Sequence, residues 1–313
     1  MDTAKAYDIA VIGGGAAGTM AAIRAGQRGK SIVLIERNSS LGNKIMITAQ
    51  GRCNLTNTAS LGVFIKKFNP GGEFLRSAFF SFFNEELIEF FRSKGLEFKV
   101  EKQGRVLPVT DKARSVMLVL NGYLKENKVD IMLAVRVVDI ECKGGCFILV
   151  SQDAVRIKAK KVIIATGGAS YKATGSTGDG FAIAKQLGHT IVPLTPALVP
   201  LVTKEAWVKE LQGLSLEDVR LVFHYADKKL CSEVGEMIFT HFGVSGPLVL
   251  DMSGDVVMAL EKYKELRMTI DFNPDLNKEE LETKLVNQFV VKGTIQIKNL
   301  MHDLLPKRMT AIF

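Results

Sequence analysis

The chain has 313 residues, 47% of them hydrophobic, and 41 Lys and Arg against 33 Asp and Glu give it a formal charge of +8. That length supports one large α/β domain and a smaller one around a well-buried core, and no apolar run reaches the roughly 18 residues of a membrane span. The cations are scattered, densest at Lys158-Ala159-Lys160-Lys161 and Lys228-Lys229, which is the pattern of solvated faces and not of a nucleic-acid track.

An apolar strand at residues 8–12 enters the turn Gly13-Gly14-Gly15-Ala16-Ala17-Gly18, and an alanine-rich helix leaves it. Gly13 allows the tight turn, and Gly15 lets backbone approach a pyrophosphate whose charge sits on the helix N-terminus. Gly18 lets the helix pack closely on the sheet. A second strand, residues 31–35, ends at Glu36, eighteen residues after Gly18, placed to accept a hydrogen bond from a ribose hydroxyl. A lone Gly-x-Gly-x-x-Gly is weak, because glycine-rich turns also serve plain structure. Strand, turn, helix, strand and acid in this order point to a dinucleotide site.

Residues 37–57 are a polar, glycine-containing loop of a length that is usually functional. Residues 72–94 read as helical with a break near Asn84, and Phe74, Phe79, Phe80, Phe82, Phe83, Phe90 and Phe91 crowd this stretch. Core packing of two helices is the favoured reading, a border to an apolar substrate pocket the sharper one. Residues 97–109 alternate like strands, and Asp111 is placed to N-cap a helix running to about Lys125. Strands follow at 131–141, 146–152 and 161–165, the first two as a β-meander and the last as a buried parallel strand ending in Thr166-Gly167-Gly168. Pro193, Pro196 and Pro200 mark a boundary, beyond which strands at 219–225, 229–232 and 267–272 suggest an antiparallel, barrel-like insert ended by Asn273-Pro274. Residues 279–291 read as an amphipathic helix and 299–305 as the start of another.

Cys53, Cys142, Cys146 and Cys231 form no CxxC pair and no zinc set with the four histidines, so no metal site is expected. They read as reduced thiols of a cytoplasmic protein, and Cys142 and Cys146 flank a hairpin turn at Lys143-Gly144-Gly145. The N-terminus enters the first strand without a signal-peptide layout.

The fingerprint alone does not separate NAD from FAD; the extended loop after Glu36 favours FAD. The turn GGGAAG, the loop GNKIMITAQGRCNLTN at 42–57, ATGG at 165–168 followed by GSTGDG, Gly188-His189, PALVPL at 196–201 and FTHFGVSGP at 239–247 occur together. On these motifs the whole chain resembles the bacterial NAD(P)/FAD-dependent oxidoreductase flavoproteins, including aminoacetone-oxidase-like and 3-dehydro-bile acid Δ4,6-reductase-like members. The resemblance implies an α/β fold. It is a GR2-type Rossmann-like FAD-binding domain at 1–192, an inserted β-barrel-like domain at 193–273 and a small helical insert at 274–313. Family members extend further, so the resemblance implies a chain truncated at its C-terminus, its FAD site completed by a missing segment or a second chain.

The same resemblance assigns site residues. Gly13, Gly15, Ala16, Ala17, Gly18 and Glu36 match the FAD fingerprint, and Arg37 lies beside the adenosine or on the surface. Lys44 neutralises the pyrophosphate. Gly51, Arg52, Cys53 and Asn54 lie near the cofactor, with Arg52 donating to a phosphate or flavin oxygen. Cys53 has no Cys-x4-Cys partner, and a structural thiol near the flavin is favoured over a catalytic one. Ala165, Thr166 and Gly167 border FAD, and Asp179 either approaches the cofactor or N-caps the next helix. His241 is the histidine to suspect as a proton donor, with a hydrogen-bonded role at a domain junction favoured; Ser245-Gly246-Pro247 reads as a turn. No catalytic residue is assigned.

The activity these residues imply is an FAD-dependent oxidoreductase passing hydride from transiently bound NAD(P)H through flavin N5 to a small organic acceptor such as a conjugated enone. No second Gly-x-Gly-x-x-Gly marks a separate NAD(P)H domain. The alternatives are an FAD-dependent oxidase of amines or ketones, a tRNA-modifying flavoprotein, and a non-catalytic truncated remnant. A small molecule is the expected partner, with no membrane. Nucleic acid is disfavoured because no aromatic-plus-basic module is visible.

Overall fold

Ile9 to Ile12 is apolar on both faces, as suits a strand covered on both sides. It forms the inner end of β1 (Asp2–Ile12), where Ala10 and Val11 are fully buried. The computed structural model describes residues 2–68, 71–291, 301 and 305–312. They form two compact units, 1–191 and 192–313. No helix among the described residues is long and apolar enough to cross a membrane.

In the first unit β1 is followed by α1 (Ala16–Gly26), β2 (Ile32–Ile35), α2 (Asn43–Ile47), β3 (Thr56–Asn57), α3 (Leu61–Lys67), α4 (Gly72–Ser81) and α5 (Asn84–Arg92). Then come β4 (Phe98–Val100), β5 (Arg105–Pro108), α6 (Ala113–Glu126), β6 (Asp130–Met132), β7 (Val137–Lys143), β8 (Cys146–Ser151), β9 (Arg156–Ile164) and α7 (Asp179–Gln186). The main sheet runs β6-β2-β1-β9-β8-β7. Its first four strands are parallel, and β9, β8 and β7 form an antiparallel meander. β3, β5 and β4 make a small separate sheet. Val11 and Leu34 bury one face of the main sheet against Ala22 and Ile23 of α1 and Val116, Leu120 and Leu124 of α6. Ile12 and Ile35 bury the other in a cluster with Ile140, Leu149 and Ile183.

The stretch expected as one strand at 131–141 is two. β6 pairs with β2 at one edge, and β7 lies at the opposite edge. The chain between them crosses the ends of the parallel strands, where Val135 donates its N–H to the Glu36 carbonyl (3.0 Å). The 161–165 strand does run parallel to β1, but Ile164 is 36% exposed, so its end is uncovered. Asp111 does not cap α6. Its backbone sits at φ +52°, its carboxylate takes Lys99 Nζ at 2.5 Å, and Lys112 holds the cap position. The Gly144-Gly145 hairpin forms as expected, both glycines at positive φ.

The second unit contains β10 (Leu201–Val202), β11 (Ser215–Tyr225), β12 (Lys228–Phe239), β13 (Gly243–Ser245), α8 (Pro247–Tyr263), β14 (Arg267–Asp271) and α9 (Lys278–Val291). Its antiparallel sheet runs β10-β13-β12-β11-β14. Among the described residues it is open, since the edge strands β10 and β14 do not pair with each other; it has the antiparallel strands of the expected barrel-like insert but no closure. Leu221, Met237 and Phe239 bury its inner face against Val249 and Val256 of α8. The sequence reading missed α8. The Ser245-Gly246-Pro247 turn is the entry to a 17-residue helix, with Pro247 at its first position. α9 forms but buries none of its residues. The helix expected at 299–305 lies almost wholly outside the described residues.

Candidate dinucleotide site

Two of the three fingerprint glycines are fixed by contacts within the protein, and the third is not. A Cβ at Gly13 (φ +105°) would lie 2.4 Å from the Ala165 carbonyl oxygen, and one at Gly18 would lie 1.8 Å from the Gly13 carbonyl oxygen. A Cβ at Gly15 would meet nothing within 4 Å. Gly15 is the N-cap of α1, no side chain caps that helix, and its first turn holds no acid. The helix therefore presents free N–H donors and the positive end of its dipole to open space.

That space is part of a cavity of about 500 Å³ within the first unit. Gly13, Gly15, Ala16 and Ala17 line it from the turn, and Ala165, Thr166 and Gly167 from the end of β9. Glu36, at the end of β2, is 7% exposed. Its Oε2 accepts the Gly14 N–H at 2.7 Å, and its Oε1 accepts the Asn38 N–H at 2.8 Å and the Asn38 side-chain amide at 2.7 Å. With two acceptor positions per oxygen, Oε1 is filled and Oε2 keeps one position open. Lys44 also lines the cavity and donates to Ser176 Oγ at 2.8 Å and to the Ser170 carbonyl at 3.0 Å.

A second set of lining residues is apolar: Met20, Leu87, Phe91, Val116 and Leu120. Of these, only Phe91 belongs to the seven phenylalanines for which bordering a pocket was the less favoured reading. Helical spacing on α1, α5 and α6 marks these positions as a core face, and nothing in that pattern separates core from cavity lining. The phenylalanine crowd divides. Phe64, Phe79 and Phe83 pack ring to ring, whereas Phe74 is 89% and Phe80 72% exposed, so core packing accounts for only part of it.

Residues 7–313 match the family described as HI0933-like protein Rossmann domain. The chain belongs to this family. It is 35% identical over 270 residues to a 3-dehydro-bile acid delta(4,6)-reductase of Clostridium scindens, covering 86% of this chain and 65% of that relative. It is 29% identical over 309 residues to a ribosomal RNA dihydrouridine synthase of Escherichia coli, covering 97% of this chain and 72% of that one. The chain thus spans about two thirds of the length of these relatives. Among solved structures, a flavocytochrome c3 fumarate reductase aligns with TM-score 0.46 at 19% identity, over 69% of this chain and 47% of that one.

In this HI0933-like chain the GRCN segment splits. Cys53 and Asn54 line the cavity, while Gly51 and Arg52 do not. Arg52 turns to Glu101 Oε1 at 2.9 Å and to Asp111 Oδ1 at 3.7 Å, in the β4–β5 hairpin region. Gly18 is likewise absent from the wall, because its place is in the packing of α1. Cys53 is 5% exposed at φ +66°, and burial pushes its thiol pKa up against a hydrogen bond with Thr48. A buried, protonated thiol is a poor nucleophile. Titration with a thiol reagent should label the exposed Cys142 and Cys231 promptly and Cys53 only on unfolding; prompt labelling of Cys53 in the native protein would contradict this.

Asp179 does not N-cap α7. Gly178 holds that position, and Asp179 is the first helical residue. Its carboxylate receives Arg136, Arg37 and Thr177, and Arg136 foremost holds its pKa below the usual carboxylate value against the effect of burial. Arg136, which the sequence reading missed, lines the cavity with Arg37 and Asp179. His241 belongs to the second unit, where it is exposed and set edge-on to Phe242 at 4.8 Å.

Proposed function

We propose that this chain is the nucleotide-binding part of an FAD-dependent oxidoreductase that reduces a carbon–carbon double bond conjugated to a carbonyl group. The observation that carries the reading is the cavity itself. An uncapped helix N-terminus, open space at Gly15, an ammonium at Lys44 and a free acceptor on Glu36 meet around it, with an apolar wall beyond. The N–H groups of the α1 turn and Lys44 hold the pyrophosphate, and Glu36 Oε2 takes a ribose hydroxyl. Met20, Leu87, Phe91, Val116 and Leu120 give the cavity its water-excluding side. FAD, when bound, supplies the hydride chemistry.

The names of the relatives support the reaction class. A delta(4,6)-reductase and a dihydrouridine synthase share one chemistry, the addition of two hydrogens across a carbon–carbon double bond. The first relative favours a small conjugated enone as acceptor. The second reading, a uracil ring in RNA, draws on the alignment of the dihydrouridine synthase over 97% of this chain. NAD(P)H is the proposed reductant, bound transiently.

The test is the visible spectrum of the purified chain before and after adding FAD, followed by anaerobic addition of NADPH or NADH. We expect a flavin spectrum that bleaches with the pyridine nucleotide. Reoxidation by a conjugated enone supports the first acceptor, by a uridine-containing ribosomal RNA the second, and by oxygen alone an oxidase. A protein that stays colourless in excess FAD overturns the reading for this chain.

A further inference from the structure

The two carboxylates on the cavity differ in what they have left to offer. Asp179 Oδ1 accepts Arg136 Nη2 at 3.1 Å and Thr177 Oγ1 at 2.8 Å, and its Oδ2 accepts Arg136 Nε at 2.8 Å and Arg37 Nη1 at 3.2 Å. All four acceptor positions are taken, so Asp179 has none for a ligand. Glu36 keeps one. Among the described residues, Arg136 by contrast is gripped along one edge only. The paired bonds from Nε and Nη2 fix the plane of its guanidinium, which a single contact would leave free to rotate.

Position decides what that plane meets. Val135 donates its N–H to the Glu36 carbonyl, Ala134 donates its own to the Asn38 carbonyl, and Val135, Arg136 and Val137 all line the cavity. This segment is therefore within reach of a base carried by a ribose bound at Glu36. The geometry points to Arg136 as a platform on which the purine of the dinucleotide stacks, with Asp179 as the positioning residue that locks the platform. This rests on the proposed FAD reading and adds the residues that select an adenine-bearing cofactor. Arg37 reaches the same carboxylate and Thr177 Oγ1 at 2.6 Å, so segments following β2, preceding β7 and preceding α7 are tied at one point.

The test uses ADP and inorganic pyrophosphate as probes, titrated by calorimetry into the full chain and into Arg136→Met, Arg136→Lys and Asp179→Asn. ADP affinity is expected to fall roughly tenfold in Arg136→Met, as expected for losing a stacked cation. Pyrophosphate affinity should change less than twofold, because that probe carries no base. Arg136→Lys keeps the charge but lacks the plane, and is expected to behave like Arg136→Met. Asp179→Asn should lose ADP affinity in the same direction with Arg136 intact, and it covers the case in which an Arg136 variant folds poorly. Equal losses for both probes, or full rescue by Lys, would show that charge and not stacking is at work and overturn the inference. Unchanged ADP binding in the variants overturns it too. A wild-type chain that takes neither ADP nor FAD fails the proposed function first, and this inference with it.

Discussion

Gly15→Asp is expected to lose FAD almost completely while the protein becomes no less stable. The Gly15 backbone is at φ −79°, an ordinary value for any residue, and an added Cβ meets nothing within 4 Å. The α1 N-terminus has no side-chain cap, so aspartate there satisfies an orphan N–H and interacts favourably with the helix dipole. The gain is a few tenths to about 1 kcal/mol. The same carboxylate occupies the space assigned to the pyrophosphate. At a separation of ~5 Å and an effective dielectric of ~20, each pair of like charges costs about 3 kcal/mol, which is more than a hundredfold in affinity. Thermal unfolding should show an unchanged or slightly raised Tm, and fluorescence titration should show FAD binding weakened by at least about a hundredfold. An Asp variant that binds FAD as the wild type does would place the pyrophosphate somewhere other than this helix end.

The first βαβ unit was legible because every local signal agreed. The apolar run of β1, the glycine turn, the alanine-rich α1 and the acid after β2 each demand the same arrangement, and the structure forms it. The cavity was legible where it is built from contiguous motifs: the turn, Glu36 and Arg37, Lys44, Cys53 and Asn54, and the end of β9. It was not legible where distant segments meet. Asn38 is a neighbour of Glu36 in sequence, but its role as the partner of Glu36 Oε1 depends on side-chain geometry that no spacing encodes. Arg136 was hidden inside what read as a continuous strand at 131–141. Residues there are apolar or alternating enough to pair, and only the tertiary separation of β6 from β7 turns them into a crossing at the cavity.

Arg52 shows what a motif match does not encode. Glu101 and Asp111 pair with its charge, and both lie far from it in the sequence. In the second unit the strands announced themselves by alternation, yet α8 did not. Its entry, Ser245-Gly246-Pro247, carries the same turn signals that end a strand, and proline at a first helical position looks like a breaker until the following 16 residues are weighed with it.

Gly18→Ala separates the packing glycine from the binding glycine within one fingerprint. In an exposed helix the change would stabilise by about 1 kcal/mol, since alanine is the better helix former. Here the new Cβ lies 1.8 Å from the Gly13 carbonyl oxygen, 3.0 Å from the Gly13 carbonyl carbon and 3.2 Å from Ala165 Cβ. The nearest obstacle is backbone, which cannot rotate away as a side-chain tip can. Relief requires α1 to lift off the turn, and Gly13 has little freedom to follow, because its own Cα faces the Ala165 carbonyl. Overpacking of this kind costs about 1–3 kcal/mol, and more where backbone must move, so the clash outweighs the propensity gain. Urea unfolding should show a loss of at least about 2 kcal/mol, accompanied by weaker FAD binding, because the strained turn is the same turn that presents the N–H groups. Gly15→Asp loses binding without stability, and Gly18→Ala loses both. If Gly18→Ala proved as stable as the wild type, the close contact between α1 and the turn would not exist in solution.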